Sequence, residues 1–208
     1  MRIIAIESLA DQIARYLEQQ IVSGARIAGS RIVEGQVAAQ LAVSRGSVRE
    51  AMLLLQRRHL IRLAPRRAPE VSQLTAASAN AQIALWHLLL RRSLGDAAPA
   101  AMASETPTLA SQLQALASQP DNPYLQQWLD DMLPSLTRLM LRLQQHIGEP
   151  LAQYLPPLHG CYSEDVQTRL KYISQFCQHW QQLAARILAT SGEQTAASAR
   201  DSRFSSAR

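Results

Sequence analysis

The chain has 208 residues, 47% of them hydrophobic, and carries 21 Arg and Lys against 16 Asp and Glu for a net charge of +5. That length and apolar content exclude a small disulfide-stapled scaffold and a wholly disordered chain, and allow one or two domains. No run approaches the roughly 18 apolar residues of a membrane span, and the opening MRIIAIESLA lacks the apolar core and cleavage site of a signal peptide. A cytoplasmic protein with no membrane partner is expected.

The charge is unevenly spread. Residues 1–75 hold eleven basic and six acidic residues, whereas the remaining 133 hold ten of each. The whole surplus lies in the first third, as expected of a nucleic-acid-binding module joined to a neutral one. Cys161 and Cys177 match no metal or redox spacing.

In chain order, Ser8 is placed to cap a helix running to about Val22, with Leu9, Ile13, Tyr16, Leu17 and Ile21 on one face. Ser23-Gly24 ends it, because glycine accepts the left-handed turn that stops a helix. A connection from Ile27 to Val33 holds a candidate β-bridge at Arg31-Ile32-Val33. Glu34 to Leu41 reads as a short helix, Ala42-Val43 as a turn, and Ser44 as the cap of a helix from Arg45 to about Arg58. In that last helix Val48, Ala51, Met52 and Leu55 fall at i, i+3, i+4 and i+7, so their face is buried. Leu60 to Leu63 is a strand candidate, the Arg- and Pro-rich stretch Ala64 to Pro69 a turn, and Val71 part of a returning strand.

From about Thr75 the sequence becomes rich in Ala, Leu and Gln. The pattern predicts helices over 76–94, 107–119, 123–146 and 164–190, with a shorter one near 149–155. Pro99, Pro107, Pro120, Pro123, Pro150, Pro156 and Pro157 mark the breaks. Pro134 inside the third helix is expected to kink or split it. Residues 191–208 are aperiodic and Ser/Ala/Arg-rich, which reads as a disordered tail.

The order helix, helix, turn, helix, basic hairpin is that of a winged helix-turn-helix. VSRGSVREAMLLLQRRHLI (Val43 to Ile61) resembles the recognition-helix signature of the GntR family of bacterial regulators. The upstream IVSGARIAGSRIVEGQVAAQLAVSR resembles the rest of that family's reader, so the likeness runs from about residue 7 to 74. The fold class expected is mainly α: an N-terminal winged helix-turn-helix of three helices and a small β-hairpin, followed by an all-helical bundle. The domains are 1–74, 75–190 and the tail.

With Val48, Ala51, Met52 and Leu55 inward, Gly46, Ser47, Arg49 and Glu50 lie on or near the outward face, and Arg45 at its N-terminal edge. Arginine presents a forked pair of donors that matches guanine O6 and N7, and the family resemblance implies base contacts by the same two residues, Arg45 and Arg49. Ser44 and Ser47, with the amides at the helix start, suit phosphate oxygens. Between Ser44 and Arg67 seven arginines face one acid, Glu50. Arg31 matches a basic residue that the family places near DNA, and Arg66 and Arg67 sit at the wing tip. Arg57 and Arg58 read as a solvated helix end. Three departures from the family pattern stand out: Val33 where a polar cap is usual, and Ala42 and Ala68 where glycine is usual.

The second part resembles the FadR-like branch, in its shorter VanR-like form, with Asn122, Pro123 and Leu125 matching an Asn-Pro stretch of that family. The resemblance implies a homodimer on a pseudo-palindromic double-stranded DNA operator and a small organic-acid-like effector. Many members of the branch hold a metal through one Asp and three His. The corresponding helix here, Thr106 to Ser118, has neither Asp nor His, while His159 and His179 fall where the other two stand, so no tightly bound metal and no cofactor is expected. His87, Arg91, Arg138, Arg142, His159, Arg169 and His179 are the candidate effector contacts, with Arg138 and Arg142 four apart on one helical face. The alternative is a DNA-binding dimer without an effector. No Gly-rich phosphate loop or Ser/Cys-His-acid set points to an enzyme.

Overall fold

In a computed structural model of the chain, residues 7–96, 108–118, 122–156 and 158–205 are described, with 95, 96, 152, 159, 160 and 190–205 by backbone alone. The described residues divide into two units. One holds those up to Gln73 together with Asp131–Leu141, the other Leu74–Asp130 and those from Arg142 onward.

The first unit begins with α1 (Leu9–Val22), opened by a capping box in which the Ser8 hydroxyl accepts from the Asp11 amide and the Asp11 carboxylate accepts from the Ser8 amide. Its bonds to Ser8 hold the Asp11 carboxyl below the usual carboxylate range. Ile13, Ala14, Leu17 and Ile21 point inward, whereas Leu9, expected on that face, is exposed because it belongs to the first turn, outside the packed stretch. α2 (Glu34–Leu41) and α3 (Arg45–Arg57) follow, and Val48, Ala51, Met52 and Leu55 of α3 are fully buried against Leu17, Ile21, Val37 and Ala38. Val33 supplies no side-chain cap to α2, as its apolar side chain requires.

α3 stops in a tight reversal. The Leu60 amide donates to the Leu55 carbonyl and the His59 amide to the Gln56 carbonyl, with His59 at φ 58° where glycine is usual. This sends the chain into β1 (Ile61–Arg62), which pairs antiparallel with β2 (Glu70–Val71), Ile61 opposite Val71 and Arg62 opposite Glu70. Arg31 forms a bridge to Glu70, and the Ile32 amide donates to the Pro69 carbonyl at 2.7 Å, so the connection before α2 lines the hairpin as a third extended segment.

The second unit is helical: α4 (Ala76–Asp96), α5 (Leu109–Ala117), α6 (Pro123–Ile147) and α7 (Val166–Ser205), with short 3-10 turns at Leu151–Gln153 and His159–Tyr162. α4 and α7 pack along their length, with Trp86 and Trp180 edge to face at a centroid distance of 6.2 Å. Asn122 caps α6, accepting from the amides of Tyr124 and Leu125, and Pro123 occupies the first turn, where its missing amide costs nothing.

Two expectations are corrected. α6 is not split at Pro134 but runs as one helix from Pro123 to Ile147. Met132, Leu133, Ser135 and Leu136 around it are buried, and their packing holds the turn that proline weakens. The tail after residue 190, expected to be disordered, continues α7 to Ser205; its Ala, Gln, Glu and Arg favour helix even without an apolar period. The ends expected near residues 107 and 119 for the helix corresponding to α5, and the breaks at Pro99, Pro107, Pro120 and Pro157, lie outside the described residues.

Ala42, between α2 and α3, adopts φ 53° and ψ 42°. A Cβ in the left-handed region costs about 1 kcal/mol relative to glycine. Ala42→Gly is therefore expected to raise Tm by about 2–4 °C in thermal unfolding. An unchanged or lower Tm would contradict this strain.

Candidate nucleic-acid interface

Ser44 opens α3 by accepting from the Ser47 amide at 3.0 Å, and the two hydroxyls lie 2.9 Å apart. Between them they share one hydrogen bond, which leaves one hydroxyl hydrogen to donate outward, as a phosphate oxygen requires. Arg45, Gly46 and Arg49 are exposed on the face opposite the buried one, and Ser47 is partly covered. A Cβ at Gly46 would meet only the Ser44 hydroxyl at 3.6 Å, so packing does not demand glycine there.

The Arg49 guanidinium lies 3.2 Å from the Glu34 carboxylate while its side chain remains 71% exposed. The Arg45 guanidinium lies over Gly35, close to where a Cβ would stand. At the wing, the Arg67 amide donates to the Ala64 carbonyl, Pro65 takes the second position and Arg66 the third at φ 59°. These are the marks of a type II turn, which normally puts glycine where Arg66 stands. The positive φ of the wing thus falls on Arg66 and not on Ala68. Arg31, Arg66 and Arg67 are all exposed.

Of the remaining arginines Arg57 and Arg58 are paired within their own unit, whereas Arg62 is as exposed as Arg49, at 71%. Arg58 pairs with Glu18 of α1 at 2.8 Å, Arg57 with the buried Asp131 at 2.8 Å, and Arg62 with Glu70 at 3.4 Å. Arg57 and Arg58, read from the sequence as a solvated helix end, instead tie α3 to its own unit. The outward cations are Arg45 and Arg49 on α3, Arg62, Arg66 and Arg67 on the hairpin, and Arg31 beside it.

In the helical unit the seven candidate contacts scatter. The buried Arg169 donates to the carbonyls of Leu94, Ser163 and Glu164, and so fastens the start of α7 to the end of α4. Buried Arg138 donates to the Ser72 carbonyl at 2.8 Å within the first unit, whereas Arg142, four residues on, is exposed in the second. His179 is exposed and bonded to the Gln175 carbonyl of its own helix; the side chain of His159 lies outside the described residues.

Among the candidates whose side chains are described, His87 and Arg91 converge. Ser174 donates to the Leu170 carbonyl at 2.6 Å, so its oxygen accepts from His87 Nε2 at 3.1 Å and from Arg91 at 3.4 Å. The His87 pKa is lowered by burial and by the neighbouring Arg91 charge.

Sequence patterns missed another set. Gln82 Oε1, Trp86 Nε1, Ser93 Oγ and Trp180 Nε1 are buried without a hydrogen-bond partner among the described residues. Gln181 meets the Asn80 carbonyl, His87 meets Ser174 and Arg169 meets Leu94, so α4 and α7 run antiparallel. That pairing sets Trp180 level with Gln82 and within a turn of Trp86. Two indole donors and one amide acceptor thus stand unsatisfied on these two helices, each worth about 1–3 kcal/mol if left so. A helix periodicity reveals that a Trp is buried, not that its N–H lacks a partner.

Among the described residues no three of His, Cys, Asp or Glu are grouped to hold an ion, the described residues of α5 contain no ligand, and the His179 Nδ1 is occupied. Burial pushes the Cys161 thiol up to about 12 and raises that of Cys177 as well, so neither offers a thiolate. No described helix is long and apolar enough to cross a membrane.

Residues 9–71 match the family described as bacterial regulatory proteins, gntR family. The match covers the segment that folds as the helix-turn-helix and hairpin, which is thereby a GntR-type helix-turn-helix domain. No curated protein matches the chain. Among solved structures, a GntR-type transcriptional regulator from Rhodococcus sp. RHA1 aligns at 19% identity and TM-score 0.44, over 91% of this chain and 96% of its own. A GntR family member from Pseudomonas syringae pv. tomato str. DC3000 aligns at 19% and 0.39, over 90% and 89%. McbR/YncC of E. coli aligns at 20% and 0.36, over 88% and 73%. At TM-scores this low the alignments carry no argument about this chain.

The lowered pKa of His87 has a consequence for stability. Unfolding restores the ordinary imidazole value, so the unfolded chain binds more protons between the two pKa values and stability rises with pH there. The contribution is complete above about 6.5, the ordinary value, and is lost as pH falls to the folded one. Thermal unfolding is expected to show a shallower acid decline below pH 7 in His87→Gln than in the wild type. Identical slopes would contradict the assignment.

Proposed function

We propose that the protein is a sequence-specific transcriptional repressor of the GntR type, with residues 1–74 reading DNA and residues 75–190 forming a FadR-like, VanR-sized effector domain. It binds a pseudo-palindromic double-stranded operator as a homodimer and is released by a small organic-acid-like metabolite. One observation carries the reading. A helix capped at Ser44 buries Val48, Ala51, Met52 and Leu55 and leaves Arg45, Gly46 and Arg49 outward, beside a wing that carries Arg66 and Arg67. The first turns of such a helix reach base edges in a major groove while basic neighbours hold phosphates.

Dimerisation is supported by the need of a single helix-turn-helix for a second copy. Exposed apolar side chains, Leu85 and Leu88 on α4 and Tyr124 and Trp128 on α6, offer surface for it. Effector binding is supported by the unsatisfied Gln82, Trp86 and Trp180 groups and by the nearby His87–Arg91 pair, a cation suited to a carboxylate. Release follows if the effector favours a dimer whose readers no longer match the half-site spacing.

A second reading, in which the helical domain only dimerises, draws support from Arg138 and Arg169, which are buried and donate to backbone carbonyls. A rise in Tm with added small carboxylates favours the effector; none across a broad panel favours the second reading.

A salt-titrated binding assay against the DNA upstream of the protein's own gene, with Arg49→Ala in parallel, tests the main claim. The wild type is expected to bind that DNA tightly and selectively, with affinity falling steeply as salt rises. Loss of one bidentate arginine is expected to weaken operator binding roughly 5- to 150-fold. Equal, weak binding of both proteins to any sequence would overturn the reading.

A further inference from the structure

The first turn of α2 holds two residues that neither face outward like the reader arginines nor belong to the core. Glu34 accepts from Arg49 Nη2 at 3.2 Å across fifteen positions of sequence, with its side chain 27% exposed. Gly35 is helical, with no positive φ to require glycine. As at Gly46, neither the backbone nor a first side-chain carbon demands glycine here; what position 35 lacks is a long side chain. A Cβ at position 35 would lie 3.5 Å from Arg45 Nη2 and 3.8 Å from both Cζ and Nε. Three atoms of one guanidinium thus lie in ordinary contact with the place where a side chain would begin.

We propose that Glu34 and Gly35 are positioning residues for the two reader arginines: Glu34 tethers Arg49, and the small residue at 35 leaves Arg45 the space that a longer side chain would take. The inference rests on the DNA-binding reading above and adds what sets the aim of its two arginines.

The physical case has three parts. A free arginine carries large rotamer entropy, and a side chain already held near its bound position loses less of it on binding. Arg49 gives Glu34 one of its five N–H groups and keeps enough for a two-donor contact with a guanine edge. The N-terminus of α2 bears partial positive charge and has no side-chain cap, so two guanidinium groups beside it are unfavourable unless a carboxylate is interposed. Glu34 is that carboxylate, and the only acid in the first turn of α2.

A carboxylate at a DNA face also repels phosphates. If Glu34 were a mere surface charge, its removal would tighten binding to every sequence alike. If it positions Arg49, its removal tightens or preserves binding to scrambled DNA while weakening binding to the operator. The two roles thus move the specificity ratio differently.

The experiment measures binding of the full-length protein to the DNA upstream of its gene and to a scrambled duplex of equal length. Wild type is compared with Glu34→Gln, Gly35→Ala, Gly35→Gln, Arg45→Ala, Arg49→Ala and the double variant Glu34→Gln/Arg49→Ala. Single base-pair substitutions in the operator are run against each, and melting curves confirm folding.

Glu34→Gln is expected to lower the operator-to-scrambled ratio roughly ten-fold, within the range of a bidentate base contact. It should flatten preference at the base pair that Arg49→Ala flattens, and cost nothing further in the double variant. Gly35→Ala, whose methyl sits at ordinary contact distance, is expected to behave as wild type. Gly35→Gln, a helix former with a longer side chain, should flatten the base pair that Arg45→Ala flattens.

Wild-type ratios in Glu34→Gln and Gly35→Gln, alongside lost ratios in Arg45→Ala and Arg49→Ala, would overturn this proposal and leave the DNA reading standing. A wild type that shows no preference between the two duplexes would overturn the DNA reading itself, and the proposal with it. Should Gly35→Gln not fold, Glu34→Gln and the double variant decide the matter.

Discussion

Everything in the DNA-facing half depends on the burial of one face of α3. Val48, Ala51, Met52 and Leu55 are 0–1% exposed, and truncating one of the larger of these would cost about 2–5 kcal/mol. Because the helix turns every 3.6 residues, fixing that face leaves no freedom for the other. Arg45, Gly46 and Arg49 must point away from the core. The ion pairs of Arg58 with Glu18 and of Arg57 with Asp131 anchor the far end of the helix. Each is modest where partly exposed, but together they fix its rotation at the end remote from the cap. The partner of Arg57 comes from α6, whose stretch Asp131–Leu141 groups with the DNA-facing unit although both ends of that helix belong to the other.

Three non-glycine residues with positive φ, Ala42, His59 and Arg66, mark the three sharp reversals around α3 and the wing. None is the residue that turn geometry prefers. At Ala42 the strain has no visible return. At Arg66 it places a cation at the tip of the hairpin, where glycine would relax the turn and remove the charge. His59 ends α3 in a Schellman arrangement so that Leu60 can enter the core at once. Local strain at this edge is offset by a core that holds the elements regardless.

The elements most legible in the sequence were those whose signals are local. Ser8 and Ser44 announce helix starts by their capping chemistry, and the spacing of Val48 to Leu55 reveals which side of α3 is dry. The strand pair was visible from Leu60-Ile61-Arg62 and Val71, and the bridge from Arg31. What was not legible depends on partners distant in sequence. Nothing near Arg57 announces Asp131, and nothing near Arg138 or Arg169 announces the carbonyls of Ser72 or Leu94 that absorb their donors. A buried arginine and a ligand-binding arginine look alike until those carbonyls are placed. The continuity of α6 through Pro134 likewise rests on packing around the proline, which overrides its local preference. The unsatisfied indoles of Trp86 and Trp180 were hidden for the same reason, since satisfaction is a property of neighbours.

The central claim is that the outward face of α3 reads base edges in a major groove through arginine forks. Methylation interference on the bound operator tests it directly, because dimethyl sulfate modifies guanine N7 in the major groove and adenine N3 in the minor groove. The account predicts that N7-methylated guanines at two symmetric positions, one set per half-site, block binding. Interference confined to adenines, or absent from every guanine, would show that Arg45 and Arg49 do not read the major groove and would contradict the account.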